Sequence, residues 1–554
     1  METDIYQLGY KQLNQFQKEV LDECYQKKSA ALSCPLGSGK TLISLVLSLR
    51  LTQGPILIVV SKSLITNWED EIKKFFGDKL SYKVIHPSVT DISQWQLKKS
   101  RQIYLTTIDV LAKAYKDCMI DKQFIEQKFV QTHGRLGNYV NYYKVPHAPY
   151  LTHAIGIGLM YSIKWGCLIV DEAQMYTNIA TQCCQALGAV YAKHRWLLSG
   201  TLFDEPKAER ILGYHIILNV PTKPRNLPDT KKLIKSDSFK GLNEHIVHRA
   251  ANLAFIPPKV NQQIITHPLH KNEATIYCMM RKILIVMKEK AHNAKLINDQ
   301  VGFKLFNGYT LVMLLYLRQA IIHPLIPITS IVLDTMDFEN KSELSKIILQ
   351  ELKTLQLDKY LNNKKSIISS RFSRILDVLD KYCVDKTLLF SCFVSCLDIL
   401  EYLLNYSSIS NRPIFHMTSN MSLKQQSNLI KNFKQTEHGI LLITFELGAQ
   451  GLNLQFAVNV LLCDYWWNAA KTQQAIGRIN RLGQMANIIN IFFFSANTAI
   501  EKVIYEKQYA KLQILDELKE GKQKTKIPKI KMDDVIKMIE CEVNREKLEK
   551  IKCI

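Results

Sequence analysis

Three groups of residues have the types and spacing to do chemistry on a phosphate chain. The first is Cys34-Pro35-Leu36-Gly37-Ser38-Gly39-Lys40-Thr41, set between an apolar run, Ala30-Ala31-Leu32, and a helical pattern from Thr41 to Leu51. Glycines at this spacing let the backbone curl until its N–H groups face one point. The helix that follows adds the positive end of its dipole there. This is the core of a phosphate-binding loop. The backbone from Pro35 through Gly39 forms the cradle, Lys40 reaches β- and γ-phosphates, and Thr41 offers its hydroxyl to Mg²⁺. A plain glycine turn is the competing reading. The second group is Asp171-Glu172-Ala173-Gln174, directly after the apolar run Cys167-Leu168-Ile169-Val170. Beside a phosphate loop, Asp171 can hold Mg²⁺ through water, Glu172 can orient and deprotonate the attacking water, and Gln174 can sense a γ-phosphate. Without such a loop the same residues read as an acidic surface turn. The third is Arg478 and Arg481, three apart in a helical pattern and so on one face. Two guanidiniums there suit the spread charge of a γ-phosphoryl group, and a solvated basic face is the alternative.

These groups need strands that end where ligands bind. Pro55-Ile56-Leu57-Ile58-Val59-Val60 and Cys167 to Val170 are continuous apolar runs, as expected of parallel strands covered on both faces. Polar residues follow such strands at Ser61-Lys62 and at Thr106-Thr107, where hydroxyls can hold phosphates of a nucleic-acid strand or simply cap helices. Gln17, in an amphipathic segment before the loop, has an amide able to read both the amino group and a ring nitrogen of adenine, or is a surface helix residue. Arg195 to Thr201 reads as a strand with a small polar turn, Ser199-Gly200-Thr201, suited to tying nucleotide state to a second lobe. Strand and helix alternate again from Phe372 to Phe494, which predicts a second doubly wound parallel sheet. There Gly448-Ala449-Gln450-Gly451-Leu452-Asn453 permits close backbone approach to a phosphate chain or nucleotide. Asp464-Tyr465-Trp466-Trp467-Asn468 leads into the helix that carries Gln474, Arg478 and Arg481.

With 554 residues, two or more domains are expected. No apolar run of about 20 residues is free of charge, which argues against a membrane span, and the acidic start is unlike a signal peptide. The 13 cysteines form no Cys-x-x-Cys pair, so a reducing, intracellular compartment is expected, without a zinc or disulfide framework. The formal charge of +22 attracts polyanions, nucleic acid first.

In order along the chain, Gln17, Lys40, Trp68, Asp171-Glu172 and Ser199-Gly200-Thr201 resemble the first lobe of superfamily 2 helicases. Ser63-Leu64, Trp68-Glu69, Glu71 and Lys74-Phe75 are similar to the SWI/SNF-type chromatin-remodelling branch, as is the stretch from Gln473 to Gln484 with both arginines. Leu202, Cys34-Pro35, Ala469 and Gln425-Gln426 depart from that pattern. The resemblance implies an α/β fold of two RecA-like doubly wound parallel-sheet lobes with a helical insertion between them. It divides the chain into a first lobe (1–215, with an insertion at about 117–162), a linker with helical protrusions (216–365), a second lobe (366–510) and a basic tail (511–554). It implies ATP and Mg²⁺ as ligands, with Lys40, Asp171, Glu172, Arg478 and Arg481 catalytic. Gln17, the loop from Pro35 to Thr41, Gln174 and Gly451 would bind nucleotide. Ser61, Lys62, Thr106, Thr107, Gly448, Asn453 and Trp467 would bind nucleic acid, and Ser199, Gly200, Thr201 and Gln474 would couple the lobes. The implied activity is a DNA-dependent ATPase that moves along double-stranded DNA in chromatin, transcription or repair, with a nuclear location, or a host nucleus or virion if the source is viral. A strand-separating helicase and an inactive DNA-binding platform are the alternatives.

Overall fold

The computed structural model describes residues 5–34, 37–86, 101–118, 160–161, 163–200, 208–219, 245–248, 258–333, 342–361, 368–407, 411–449, 452, 454–466, 469–480, 484–506, 508–509 and 535–542. Two parallel sheets organise them. The first holds Ala30–Ser33 (β1), Ile56–Val60 (β2), Tyr82–Ile85 (β3), Ile103–Thr107 (β4), Trp165–Val170 (β5), Ala192–Ser199 (β6) and Ile246–His248 (β7), in the order β3-β4-β2-β5-β6-β1-β7. The second holds Lys259–Thr266 (β8), Thr387–Ser391 (β9), Ile414–Met417 (β10), Ile440–Thr444 (β11), Asn459–Leu462 (β12) and Ile488–Ser495 (β13), in the order β10-β11-β9-β12-β13-β8. Parallel neighbours cannot be joined by tight turns, so helices cross over and cover both faces.

Strand alternation divides the first core between those faces. Leu57 and Val59 join one apolar cluster, while Ile56, Ile58 and Val60 join the other. All five are fully buried, which accounts for the unbroken apolar run. The second lobe repeats the scheme: Leu388 and Phe390 face one cluster and Leu389 the other.

The observed sheets redraw two of the expected boundaries. Strand β7 belongs to the first sheet and β8 to the second, although both fall inside the expected linker, 216–365. Strand β8 is an edge strand with most residues exposed, so its sequence, Lys-Val-Asn-Gln-Gln-Ile-Ile-Thr, lacks the apolar run of a central strand. Residues 535–542 are helical rather than a loose tail. Val535, Ile536 and Ile539 are buried, and Glu542 pairs with Arg281 at 2.9 Å and accepts from the Ala499 N–H at 3.1 Å.

Between β8 and β9, both of the second sheet, the chain forms a pair of long helices, Lys271–Leu296 and Gln300–Ile322, packed on each other. Gln300–Ile322 is long and apolar enough to cross a membrane by length and composition, and 44% of its apolar window is buried inside the protein. Arg318 on this helix donates to the Tyr465 carbonyl at 2.8 Å, tying the pair to the second lobe. His323 ends the same helix as a packed structural residue, fully buried against Phe372 and accepting from the Leu325 N–H at 3.1 Å. The expected tyrosine-rich insertion core, 119–159, and the lysine-rich stretch, 510–534, lie outside the described residues.

Candidate active site

The phosphate loop is shaped by Gly37 and Gly39, with φ of +82° and +81°, the left-handed region that favours glycine. Gly39 is also the residue before the helix Lys40–Leu51, so the helix N-terminus points into the curl. Residues Leu42 to Leu49 of that helix are all buried, and its apolar side chains sink into the cluster on one face of the first sheet. Lys40 Nζ donates to the Cys34 carbonyl at 2.9 Å, arching over the loop. Ser38 Oγ is buried and meets no partner in the protein. Pro35 and Leu36 lie outside the described residues.

Gln17 braces this loop. Its Nε2 donates to the Ser38 carbonyl at 3.0 Å, and its Oε1 accepts from the Asn14 N–H at 3.0 Å in a capping box. Each end of the amide is therefore engaged once and keeps a second N–H and a second lone pair, and Gln17 lines the cleft.

Across the sheet, β5 delivers Asp171 and Glu172 to the same cleft. Each oxygen of Asp171 holds one N–H: Oδ1 accepts from the Glu172 backbone at 2.9 Å, and Oδ2 from the Trp68 indole at 3.0 Å. Burial pushes the Asp171 carboxyl above its usual range, and the neighbouring Glu172 charge adds to this. The Trp68 N–H and the Lys40 charge oppose it. Glu172 has φ +48°, which costs a residue with a β-carbon about 1–2 kcal/mol. Its carboxylate is buried and shared: Oε2 accepts from Gln174 Nε2 at 2.7 Å, and Oε1 faces Arg478 Nη2 at 3.3 Å. Gln174 is 1% exposed and acts on Glu172 rather than reaching the cleft itself.

The Arg478 contact is the bridge between the lobes. Arg478 follows the helix Ala469–Gly477 of the second lobe, and its side chain is 3% exposed. It lines one cleft of about 410 Å³ together with Gln17, Gly37, Gly39, Lys40, Thr41, Asp171 and Glu172. Two half-sites 306 residues apart in sequence thus meet at one carboxylate. Gln474 is buried on the same helix. Arg481, Gly451, Asn453, Trp467 and Thr201 lie outside the described residues.

Residues 14–209 match the SNF2-related domain, and residues 370–483 match the helicase conserved C-terminal domain. The chain belongs to the SNF2-type helicase-like ATPases. Relatives of this SNF2-type chain include a helicase-named protein, 172L, of Invertebrate iridescent virus 6, 25% identical over 90% of this chain and 86% of that one. The ISWI chromatin-remodeling complex ATPase ISW2 of Saccharomyces cerevisiae is 23% identical over 93% of this chain. The DNA repair protein RAD5 of Eremothecium gossypii is 32% identical over 31% of it. The chain spans 41% of ISW2 and 17% of that RAD5. Among solved structures it is similar to the Sulfolobus solfataricus SWI2/SNF2 ATPase core in complex with dsDNA, at 20% identity and a TM-score of 0.36, covering 92% of this chain and 93% of that one.

The donors present in the SNF2-type chain fit a magnesium-bound nucleotide. Thr41 and Asp171 line the cleft with oxygen, the donor that hard cations take, and no group of three or more His, Cys, Asp or Glu able to hold a metal occurs among the described residues. Two protein oxygens suit an ion that keeps waters and phosphates as its other ligands. The unpartnered Ser38 hydroxyl fits a phosphate oxygen in the same way.

Several expected nucleic-acid contacts are placed otherwise. Thr106 and Thr107 are buried: Thr106 Oγ1 donates to the Ile85 carbonyl at 3.0 Å, and Thr107 Oγ1 accepts from the Val110 N–H at 3.5 Å. Their hydroxyls serve the sheet and a helix start. Gly448 is explained by packing, since a β-carbon there would sit 2.4 Å from the Phe390 ring. Ser61 and Lys62 remain accessible after the end of β2, and Ser199, fully buried, ends β6 with Gly200 following it. Sequence reasoning missed one wall of the cleft. Asn67, Asp70, Glu71, Lys74 and Phe75 line it from the helix Ile65–Phe76 at helical spacing, opposite its buried face of Ile65, Trp68, Ile72 and Phe76. Gln455 joins from the second lobe. A second cavity, about 150 Å³, opens at the strand ends of the second sheet, where Thr418, Ser419, Thr444 and Trp466 line it.

Proposed function

We propose that this SNF2-type chain hydrolyses ATP between its lobes and uses the cycle to move along double-stranded DNA, in chromatin remodelling, transcription or repair. The observation that carries this reading is the Arg478–Glu172 contact across the cleft that also holds Lys40, Thr41 and Asp171. Glu172 orients the attacking water and takes its proton. The water oxygen bonds to the γ-phosphorus as the β–γ bridging bond breaks, leaving ADP and phosphate. Lys40 and Arg478 offset the charge that develops on the phosphoryl oxygens, with Arg481 as a second guanidinium. Thr41 and Asp171 would hold Mg²⁺, which supplies positive charge to the β- and γ-phosphate oxygens.

In the state seen here Glu172 and Arg478 engage each other. A γ-phosphate draws Arg478 off the carboxylate and so assembles base and guanidinium around the bond to be broken. Lobe closure and reopening follow from that exchange. The charge of +22, the accessible Ser61 and Lys62, and the hydroxyl-lined cavity of the second lobe support a polynucleotide across both strand-end edges. The relatives named for chromatin remodelling and DNA repair support duplex DNA as that polynucleotide, and with it a nuclear location, or a host nucleus or virion for a viral source.

ATP turnover titrated with double-stranded DNA, single-stranded DNA and RNA tests this, with triplex displacement and strand displacement run beside it. Stimulation by duplex, with triplex displacement and no strand separation, is expected. Strand separation would make the protein a helicase. Turnover that is absent, and unchanged by Glu172→Gln, would make it a DNA-binding platform.

A further inference from the structure

Trp68 occupies the buried face of the helix Ile65–Phe76 and is 1% exposed. An indole has one donor and no acceptor, so a buried one needs an acceptor to point at. Here that acceptor is not a nearby carbonyl. It is Oδ2 of Asp171, 103 positions along the chain, at 3.0 Å. The helix follows β2 and the carboxylate follows β5, and these strands are hydrogen-bonded neighbours in register from Ile56↔Cys167 to Val59↔Val170. The indole therefore reaches sideways from one strand end to the next. With Oδ1 already accepting the Glu172 N–H at 2.9 Å, the two donors define the carboxylate plane and leave each oxygen further accepting capacity. Trp68 also lines the cleft, between Asn67 and the Glu71 turn of its helix. Phenylalanine would fill much of the same apolar space; the N–H is what it would lack.

We propose that Trp68 is a positioning residue of the ATPase site: its indole N–H orients the Asp171 carboxylate for the divalent cation that accompanies ATP. The inference rests on the reading above, in which Asp171 faces that cation. It assigns to a side chain on a different strand–helix unit the task of holding a ligand's plane. Partners of this kind tune a metal site nearly as strongly as its ligands do, with losses of about 10–100-fold when removed.

Trp68→Phe tests it, because it keeps an aromatic ring and deletes the donor. The measurement is binding of a fluorescent, non-hydrolysable ATP analogue to the full chain, titrated with Mg²⁺ and with Mn²⁺, and repeated in EDTA. The cation concentration for half-saturation should rise about tenfold or more, while affinity in EDTA stays within about twofold of the parent. In an Asp171→Asn background, Trp68→Phe should add nothing, because the indole acts through that carboxylate. A merely structural tryptophan predicts equal losses with and without cation, and additive losses in the double variant; either result overturns the proposal. If Trp68→Phe fails to fold by its thermal melt, 3-benzothienylalanine at position 68 carries the same test, since it replaces N–H by sulfur in nearly the same shape. A cation curve that shifts with Asp171→Asn but not with the loss of the indole donor overturns this inference alone. A curve unmoved by Asp171→Asn overturns the cation assignment beneath it, and this inference falls with it.

Discussion

The two lobes share a fold plan but hold their chemistry differently. In the first, Lys40 and Thr41 follow β1, and Asp171 and Glu172 follow β5, with β6 between the two strands. Each group is pinned locally: Lys40 to the Cys34 carbonyl, Asp171 by two N–H donors, Glu172 by Gln174, and the loop by Gln17. The second lobe contributes Arg478 just after a short helix, with its guanidinium set against a carboxylate of the first lobe. The difference teaches a division of labour. On the proposed reading, the first lobe binds a triphosphate and the second responds to one.

The largest effects should separate these tasks. Glu172→Gln keeps the size of the side chain but removes the base, and its NH₂ can accept from neither Gln174 nor Arg478, so turnover should fall by about 10²–10⁴ with ATP affinity retained. Rapid-quench turnover beside equilibrium nucleotide binding checks this, and a matching loss of binding would blur the division. Lys40→Ala should act on the other side of it, costing about 2–5 kcal/mol of triphosphate binding, read by titration with the non-hydrolysable analogue. Unaltered affinity would mean that the loop is only a turn.

A glycine in each lobe gives a smaller but sharper contrast. Gly39→Ala places a β-carbon at φ +81°, at about 1–2 kcal/mol, and displaces the Gln17 amide that braces the loop. Nucleotide binding should suffer more than the melting temperature. Gly448→Ala drives a methyl into the Phe390 ring and should cost about 1–3 kcal/mol of second-lobe stability, with nucleotide affinity little changed. Denaturant melts and binding curves on both variants reveal whether the two effects sort by lobe as expected.

The strands and the phosphate chemistry were legible in the sequence for a physical reason. Strands β2, β5 and β11 are covered on both faces, so burial writes itself as an apolar run, and Lys40, Asp171 and Glu172 sit where such runs stop. Edge strand β8 is open on one side and carries no such mark. Thr106, Thr107 and Gly448 have the right residue types for phosphate contact, yet neighbours distant in sequence, Ile85 and Phe390 among them, decide their surroundings. The Trp68–Asp171 bond and the polar wall from Asn67 to Phe75 depend on how a helix is rotated over neighbouring strands. The apolar face of that helix hinted at the rotation, but its spacing does not name what the other face meets.

The smallest effect at neutral pH is an acid one, and it too has a counterpart in each lobe. Burial lowers His215 to about 4 and His267 to about 3. Both are neutral in the fold, so their contribution is present above the unfolded value near 6.5 and is lost as pH falls toward the folded value. For His215 the loss between pH 7 and pH 5 is about 2 kcal/mol. His215→Phe should remove that share of the acid sensitivity from the first lobe and leave the second lobe's in place, as followed by thermal melts from pH 7 to pH 5.

ATP turnover by Arg478→Ala, measured at saturating ATP and duplex DNA beside equilibrium ATP binding, tests the meeting of the half-sites most directly. A guanidinium that acts on the transferring phosphoryl group predicts a fall in turnover of about 10³–10⁵ with ATP still bound. Turnover within about tenfold of the parent would leave the second lobe without a part in the chemistry and contradict the account.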